Sequence, residues 1–286
     1  MLKFLTLCIS SVMLGCIYGL IALGYGLIYK ASGLMSFVQG DMLTLGAFLG
    51  LPYWLSLLLT MLCAFAFGML LEKGVIRRLL NKKVMPIYVV LATIAISYIL
   101  QNGSQLIWGT WTLNFPSVFK ASTVKLFGLL TVQPEVILCL ILSMVSMVVL
   151  HLFMNKTKLG TAMRTSSMDS MAAESCSINV SLTTGITWGV SVMLAAMAGI
   201  LIGPMYGVYS SLGANLGNKG FAGAIAGGYG NMYGAIVGGI LLGLLEILVS
   251  GYVSSAYKNL IAYVALLLFL CIKPTGLFNE RAIQDV

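Results

Sequence analysis

Long apolar runs separated by short polar breaks account for most of the chain. They cover residues 5–29, 54–71, 87–108, 134–154, 182–203, 233–249 and 257–272. An α-helix needs about 20 apolar residues to cross a hydrocarbon core, and most of these runs are near that length. A β-barrel would alternate apolar and polar positions in segments of about ten residues; no such alternation is present. The first run is longer than a signal-peptide core of about 7–15 residues, and no small-x-small cleavage site follows, so it reads as a membrane helix. The pattern predicts an all-α polytopic membrane protein, one transmembrane domain over residues 1–286. About 7–8 membrane helices are expected, short interrupted ones included.

Two apolar pieces fall short of spanning length. Residues 41–50 follow a polar link at 30–40, and Pro52 cuts them off from the next run. Residues 221–230 follow a Gly- and Ser-containing stretch, 205–220, and precede the run at 233–249. A half-helix followed by a full helix, occurring twice, points to a transport pathway. Half-helix starts present free N–H groups and positive dipole ends, which suit a carboxylate. Gln39, Gly40 and Asp41 at the first break, and Lys219, Gly220 and Phe221 at the second, are therefore the candidate substrate-route residues.

Residues 156–180 form a polar island between two apolar runs. Ser166 and Asp169 make an S-x-x-D start signal, a hydroxyl cap with an acid at the third helical position. This predicts a helix over about 167–176, with Met168, Met171, Ala172 and Ser175 on one face. Roughly ten residues of helix are marginal alone in water. The segment either lies on lipid or on its own protein, or docks on a partner that its Met and small residues fit.

Composition strengthens the membrane reading: 59% of residues are hydrophobic and 8% charged, against about 25% charged in soluble domains. The net charge of +8 sits in short loops beside apolar runs, where it sets orientation rather than marking nucleic-acid binding. Lys73, Arg77, Arg78, Lys82 and Lys83 face one acid within 72–85, which places that segment in the cytoplasm. Residues 109–133, with Trp108 and Trp111 at the interface, are then external, and the polar island is cytoplasmic. The six cysteines show no metal spacing and read as buried, reduced thiols. The single histidine, His151, reads as a boundary residue at a helix end.

Residues 220–246 contain G-x-x-x-G spacings at 223/227, 230/234, 234/238 and 239/243. Gly223, Gly227, Gly230, Gly234, Gly238, Gly239 and Gly243 are candidates for close helix packing, as is the Gly15/Gly19 pair in the first run. Asp41 and Glu246 are ionisable groups in or beside apolar runs. For Asp41 a cap or a pairing with Lys30 competes with a functional role; for Glu246 a hydrogen bond to a neighbouring helix does. There is no G-x-x-x-x-G-K-[ST] loop, no G-x-G-x-x-G between strand and helix, and no catalytic Ser-His-Asp, Cys-His or H-E-x-x-H arrangement. No cofactor, metal site or enzyme chemistry is expected.

Three blocks carry a resemblance: GLIALGYGLIYKASGLMSFVQGDMLTLGAF at 19–48, GTAMRTSSMDSMAAESCSINV at 160–180, and GFAGAIAGGYGNMYGAIVGGILLGLLE at 220–246, with KPTGLF at 273–278 also similar. The chain resembles the H-type permease subunit of branched-chain amino-acid ABC importers. The second block matches a Gly-x-Ala-x-Arg…Asp-x-x-Ala-Ala…Ile-Asn pattern. It departs at Ser177, where the family usually has Gly, and at Glu174, where a basic residue is common; Gln39 replaces a frequent His.

The resemblance implies a permease of the bacterial cytoplasmic membrane. Its partners would be a second related permease, two cytoplasmic ATPases and an extracytoplasmic solute-binding protein. The island would be the coupling helix, with Met163, Arg164, Met168, Asp169, Met171, Ala172, Ala173, Ile178 and Asn179 as its candidate residues. The cargo would be a small polar solute, branched-chain amino acids first. The alternative is a secondary transporter or channel for small amino acids, amides or urea that works without ATPases.

Overall fold

In the computed structural model, residues 2–33, 36, 38, 41, 53–82, 84–109, 111–112, 124–126, 130–252, 254–273 and 276–278 are described. Among them the apolar runs are helices: α1 (Leu2–Ser32), α2 (Tyr53–Leu71), α3 (Arg77–Asn81), α4 (Pro86–Trp108), α5 (Pro134–Lys156), α6 (Lys158–Met168), α7 (Ser170–Ser175), α8 (Val180–Tyr206), α9 (Leu212–Gly227), α10 (Met232–Tyr252) and α11 (Lys258–Ile272). A π-helical turn, Glu72–Ile76, joins α2 to α3 without a break. Six of these helical stretches are long and apolar enough to cross a membrane. The fold is all-α and polytopic. Its one sheet among the described residues is a two-stranded antiparallel hairpin, β1 (Val124–Leu126) with β2 (Leu130–Val132).

Several boundaries differ from the sequence expectation. Residues 72–81 are helical, a π-turn leading into α3: the stretch has no Pro, its Lys, Arg and Leu side chains favour a helix, and only Gly74 disfavours one. Pro204 lies inside α8, which runs on to Tyr206. The second half-helix begins at Leu212 and ends at Gly227, so Lys219, Gly220 and Phe221 are mid-helix rather than at a helix start. Their N–H groups belong to the helix and are not free for a carboxylate. Gln39 and Gly40, and most of the first half-helix, lie outside the described residues.

The core is built on α1, which packs along α8, α9 and α10. In water-free surroundings there is no hydrophobic drive between helices, so close backbone approach must supply the attraction. Glycines provide it. A Cβ on Gly243 or Gly239 would overlap the backbone at Gly15 or Gly19 of α1, and Gly251 meets Leu7. This register makes α1 and α10 antiparallel. Gly227 of α9 likewise admits no Cβ against Gly234 of α10, and Gly223 packs closely on Gly239. Gly230 is different: it lies in the turn between α9 and α10 with φ +97°, so its role is the turn conformation rather than a helix face.

The contacts fix which helix ends lie together. The Ser32 end of α1, the Lys156 end of α5 and the start of α10 meet around one cleft. Arg77 donates to the carbonyl of Ser181 at the start of α8, bringing the basic 73–82 segment to the same end. The tail joins them, since Leu277 N donates to Ala226 O (3.0 Å) and Phe278 N to Gly227 O (3.1 Å). Lys30, Lys73, Arg77, Arg78, Lys82, Lys156, Lys158 and Arg164 thus gather at one end, called here the basic end. Tyr206, Leu212 and Lys258 lie at the other.

Candidate functional site

Two features carry chemistry, one at each end. Near the far end, Lys219 of α9 and Glu246 of α10 form a buried ion pair with Nζ–Oε1 at 2.5 Å. Tyr18 of α1 donates its hydroxyl to the other carboxylate oxygen, Oε2, at 2.7 Å. Three helices are clamped by one carboxylate, and both its oxygens are used. The group lines a cavity of about 130 Å³ with Tyr206, Tyr209, Asn215 and Lys258. Sequence reasoning assigned Lys219 to the substrate route and Glu246 to helix packing; the structure brings the two together. Gly220, the neighbour of Lys219, packs directly on Ile21, which leaves no room for a Cβ. Phe221 meets Tyr25 edge-on at 5.5 Å.

The Tyr18 contribution was not visible in the sequence, because nothing in an apolar helix marks one tyrosine among several. Asp41 accepts a hydrogen bond from Ser97 of α4 and is buried. Its partnership with a serine 56 residues away was equally hidden.

At the basic end, residues 157–179 fold as two short helices rather than one. Thr157 caps α6, accepting from Gly160 N at 3.0 Å while its hydroxyl donates to Phe153 O at 2.7 Å. Gly160 lets α6 fold back tightly on the end of α5, where a Cβ would strike Met154. Asp169 is itself the N-cap of α7, taking Met171 N at 2.9 Å and Ala172 N at 3.0 Å. The expected Ser166 cap is therefore corrected: Ser166 is buried inside α6 and accepts from Thr183 of α8 at 3.0 Å. Six residues of α7 cannot hold a helix without such a cap and its flanking contacts.

The candidate coupling residues sort by geometry. Met163 and Ala173 are buried against the chain itself. Arg164 donates to Met154 O at 2.8 Å and to the Asn155 side chain, satisfying the end of α5. Asn179 caps α8 through Leu182 N at 3.1 Å. Ile178 N returns to Ala173 O at 3.0 Å, closing α7 with Ser177 at φ 61°. Met168, Met171 and Ala172 are exposed, the first two 71% and 78%. Two exposed methionines beside a small residue form an adaptable apolar patch on an otherwise polar segment.

Glu72 was read from sequence only as the one acid in a basic cluster. It is buried and takes Arg77 at both oxygens (3.0 and 2.5 Å) and Thr184 of α8 at 3.2 Å. The π-turn thereby ties the basic segment to the helix that leaves α7.

A family described as the permease component of the branched-chain amino acid transport system matches residues 7–270. The chain belongs to this family. The high-affinity branched-chain amino acid transport system permease protein LivH of Salmonella typhimurium (strain LT2) is 29% identical over 307 aligned residues, covering 100% of this chain and 98% of its own. LivH of Escherichia coli (strain K12) gives the same values. No solved structure matches. The chain is accordingly a multi-pass membrane permease subunit.

Proposed function

We propose that the chain forms part of the membrane channel of an ATP-driven importer for branched-chain amino acids, with hydrolysis carried out by partner ATPases. The single transmembrane domain would span the full chain, with residues 156–180 as its cytoplasmic coupling segment. The observation that carries the reading is the face made by Met168, Met171 and Ala172: exposed, apolar, and set on a capped element at the basic end. Positive charge beside membrane helices marks the cytoplasmic side, which is where ATPases work. A second permease, two ATPases and an external solute-binding protein complete the assembly.

The substrate route is proposed along the far-end cavity, beside Tyr18, Lys219 and Glu246, together with the break at 39–41. Lys219 and Glu246 act there as the fixed polar wall against which the helices rock. A carrier that needs no ATPase would have no use for bare methionines on a cytoplasmic element.

Ala172→Trp tests the reading. An indole on the docking face should clash with the partner, reduce copurification of the ATPases and abolish uptake, while membrane insertion is unchanged. Met171→Ala, which removes contact without adding bulk, should be milder. Normal copurification and uptake in the Trp variant would show that the ATPases dock elsewhere.

A further inference from the structure

The far-end cavity, about 130 Å³, contains a charged group that the three-helix clamp does not use: Lys258, the first residue of α11. The clamp is the floor. Glu246 gives Oε1 to Lys219 and Oε2 to Tyr18, and all three residues are buried. Glu246 is the acid among the described lining residues, and its charge is already matched by Lys219. Buried Leu14, Leu212 and Leu216 make the floor aliphatic elsewhere. The mouth is polar, with Asn215 and Asn259 exposed and Lys258 half-buried between floor and solvent.

Lys258 is placed against the usual electrostatic preference. It stands at the positive end of the α11 dipole, where acids are favoured and cations are not. The first turn of α11 holds no acid, and Tyr257 at its N-cap gives no side-chain bond to the amides. The first N–H groups of a helix lack intrahelical partners. The ion pairs among the described residues are those of Arg77 and Lys219, and Lys258 makes neither an ion pair nor a hydrogen bond with any of them. An ammonium and a helix start facing one cavity together favour an anion there. The cavity has room for about four waters at about 30 Å³ each, which suits a small organic acid and excludes a peptide. Its leucines suit an aliphatic one.

We propose that Lys258 and the first turn of α11 hold the carboxylate of an aliphatic amino acid in this cavity, with the side chain over Leu14, Leu212 and Leu216. Tyr206, Tyr209 and Asn215 offer neutral oxygen acceptors to the ammonium, so the carboxylate carries most of the recognition. The role of that acid as cargo rests on the substrate route proposed above; the carboxylate site itself does not.

The test is thermal unfolding of the detergent-purified full chain, titrated at constant ionic strength with leucine, isocaproate (the same skeleton without the amine) or leucinol (the same skeleton without the carboxylate). Saturable protection by leucine and isocaproate, and none by leucinol, is expected. Lys258→Gln should raise both half-points about tenfold, the loss of one charge-assisted hydrogen bond, and Lys258→Arg should raise them less. Lys73→Gln, an exposed charge at the opposite end, should leave them unmoved. Without ligand, Lys258→Gln should unfold no lower than the parent, because it removes a cation from the positive end of α11. Leucinol protecting as well as leucine, acetate protecting as well as isocaproate, or equal half-points in Lys258→Gln and the parent would overturn the proposal. Leucine uptake by the assembled transporter, measured in parallel, separates the two claims. Uptake without protection of the purified chain overturns the site and leaves the importer reading. Protection that depends on Lys258, with no leucine uptake, keeps the site and removes that reading.

Discussion

Removing Lys219 alone should be far worse than removing Lys219, Glu246 and Tyr18 together. The pair is 2.5 Å apart with side-chain exposures of 9% and 4%, so neither charge can turn to water. Lys219→Met leaves the Glu246 carboxylate buried with only the Tyr18 hydroxyl, and breaking a buried pair costs about 3–5 kcal/mol. Glu246→Leu leaves a buried ammonium and should cost a similar amount. In Lys219→Met/Glu246→Leu both charges are gone and only the Tyr18 hydroxyl is stranded, at about 1–3 kcal/mol. Adding Tyr18→Phe removes that last unpaired group, and the triple variant should return to within about 1 kcal/mol of the parent, since well-packed apolar groups often replace a buried ion pair without loss. Unfolding of the purified chain in mixed micelles with increasing denaturing detergent gives the four values. If the double variant costs as much as the two single variants added together, the charges are not compensating each other and the clamp account is wrong. Single-variant costs below about 1 kcal/mol would mean that water reaches the pair through the adjoining cavity.

Two further outcomes follow from backbone geometry. Ser177 holds φ 61° at the end of α7, a region that costs an L-residue about 1–2 kcal/mol; Ser177→Gly should stabilise the 170–179 turn by about 1 kcal/mol, seen as slower amide hydrogen exchange at Ile178. Gly239 packs on the backbone of Gly19, so Gly239→Leu should separate α10 from α1 and lower the unfolding temperature of the purified chain, whereas Gly74→Leu, with open space around it, should change little.

The spans were legible in the sequence because membrane helices are written in composition: 20 apolar residues leave few other structures. The glycine spacings were legible as well, but not their partners. Gly239 and Gly243 face α1, while Gly223 and Gly227 face α10, and spacing alone does not distinguish neighbours. The second half-helix was misplaced because Lys219 looks like a break in an apolar pattern. Its charge is neutralised within the protein by Glu246, 27 residues away, so the helix continues through it. At the polar island the S-x-x-D signal at Ser166 competed with Asp169 as a cap, and the structure takes the acid because Ser166 is drawn onto α8 by Thr183. The Ser177 departure was visible as a residue where the family usually has Gly; its physical meaning, a left-handed helix end, needed the backbone.

The central claim is that α6 and α7 are where partner motion enters this chain. Met171 is exposed on that element, and Met171→Cys supplies a thiol there. Cysteine crosslinking between position 171 and the ATPase subunits, in membranes holding the assembled transporter, tests it most directly. The account predicts a crosslink whose yield changes when ATP is added, and no labelling of that thiol by an impermeant maleimide outside intact cells. Ready labelling from outside, with no crosslink to the ATPases, would contradict it.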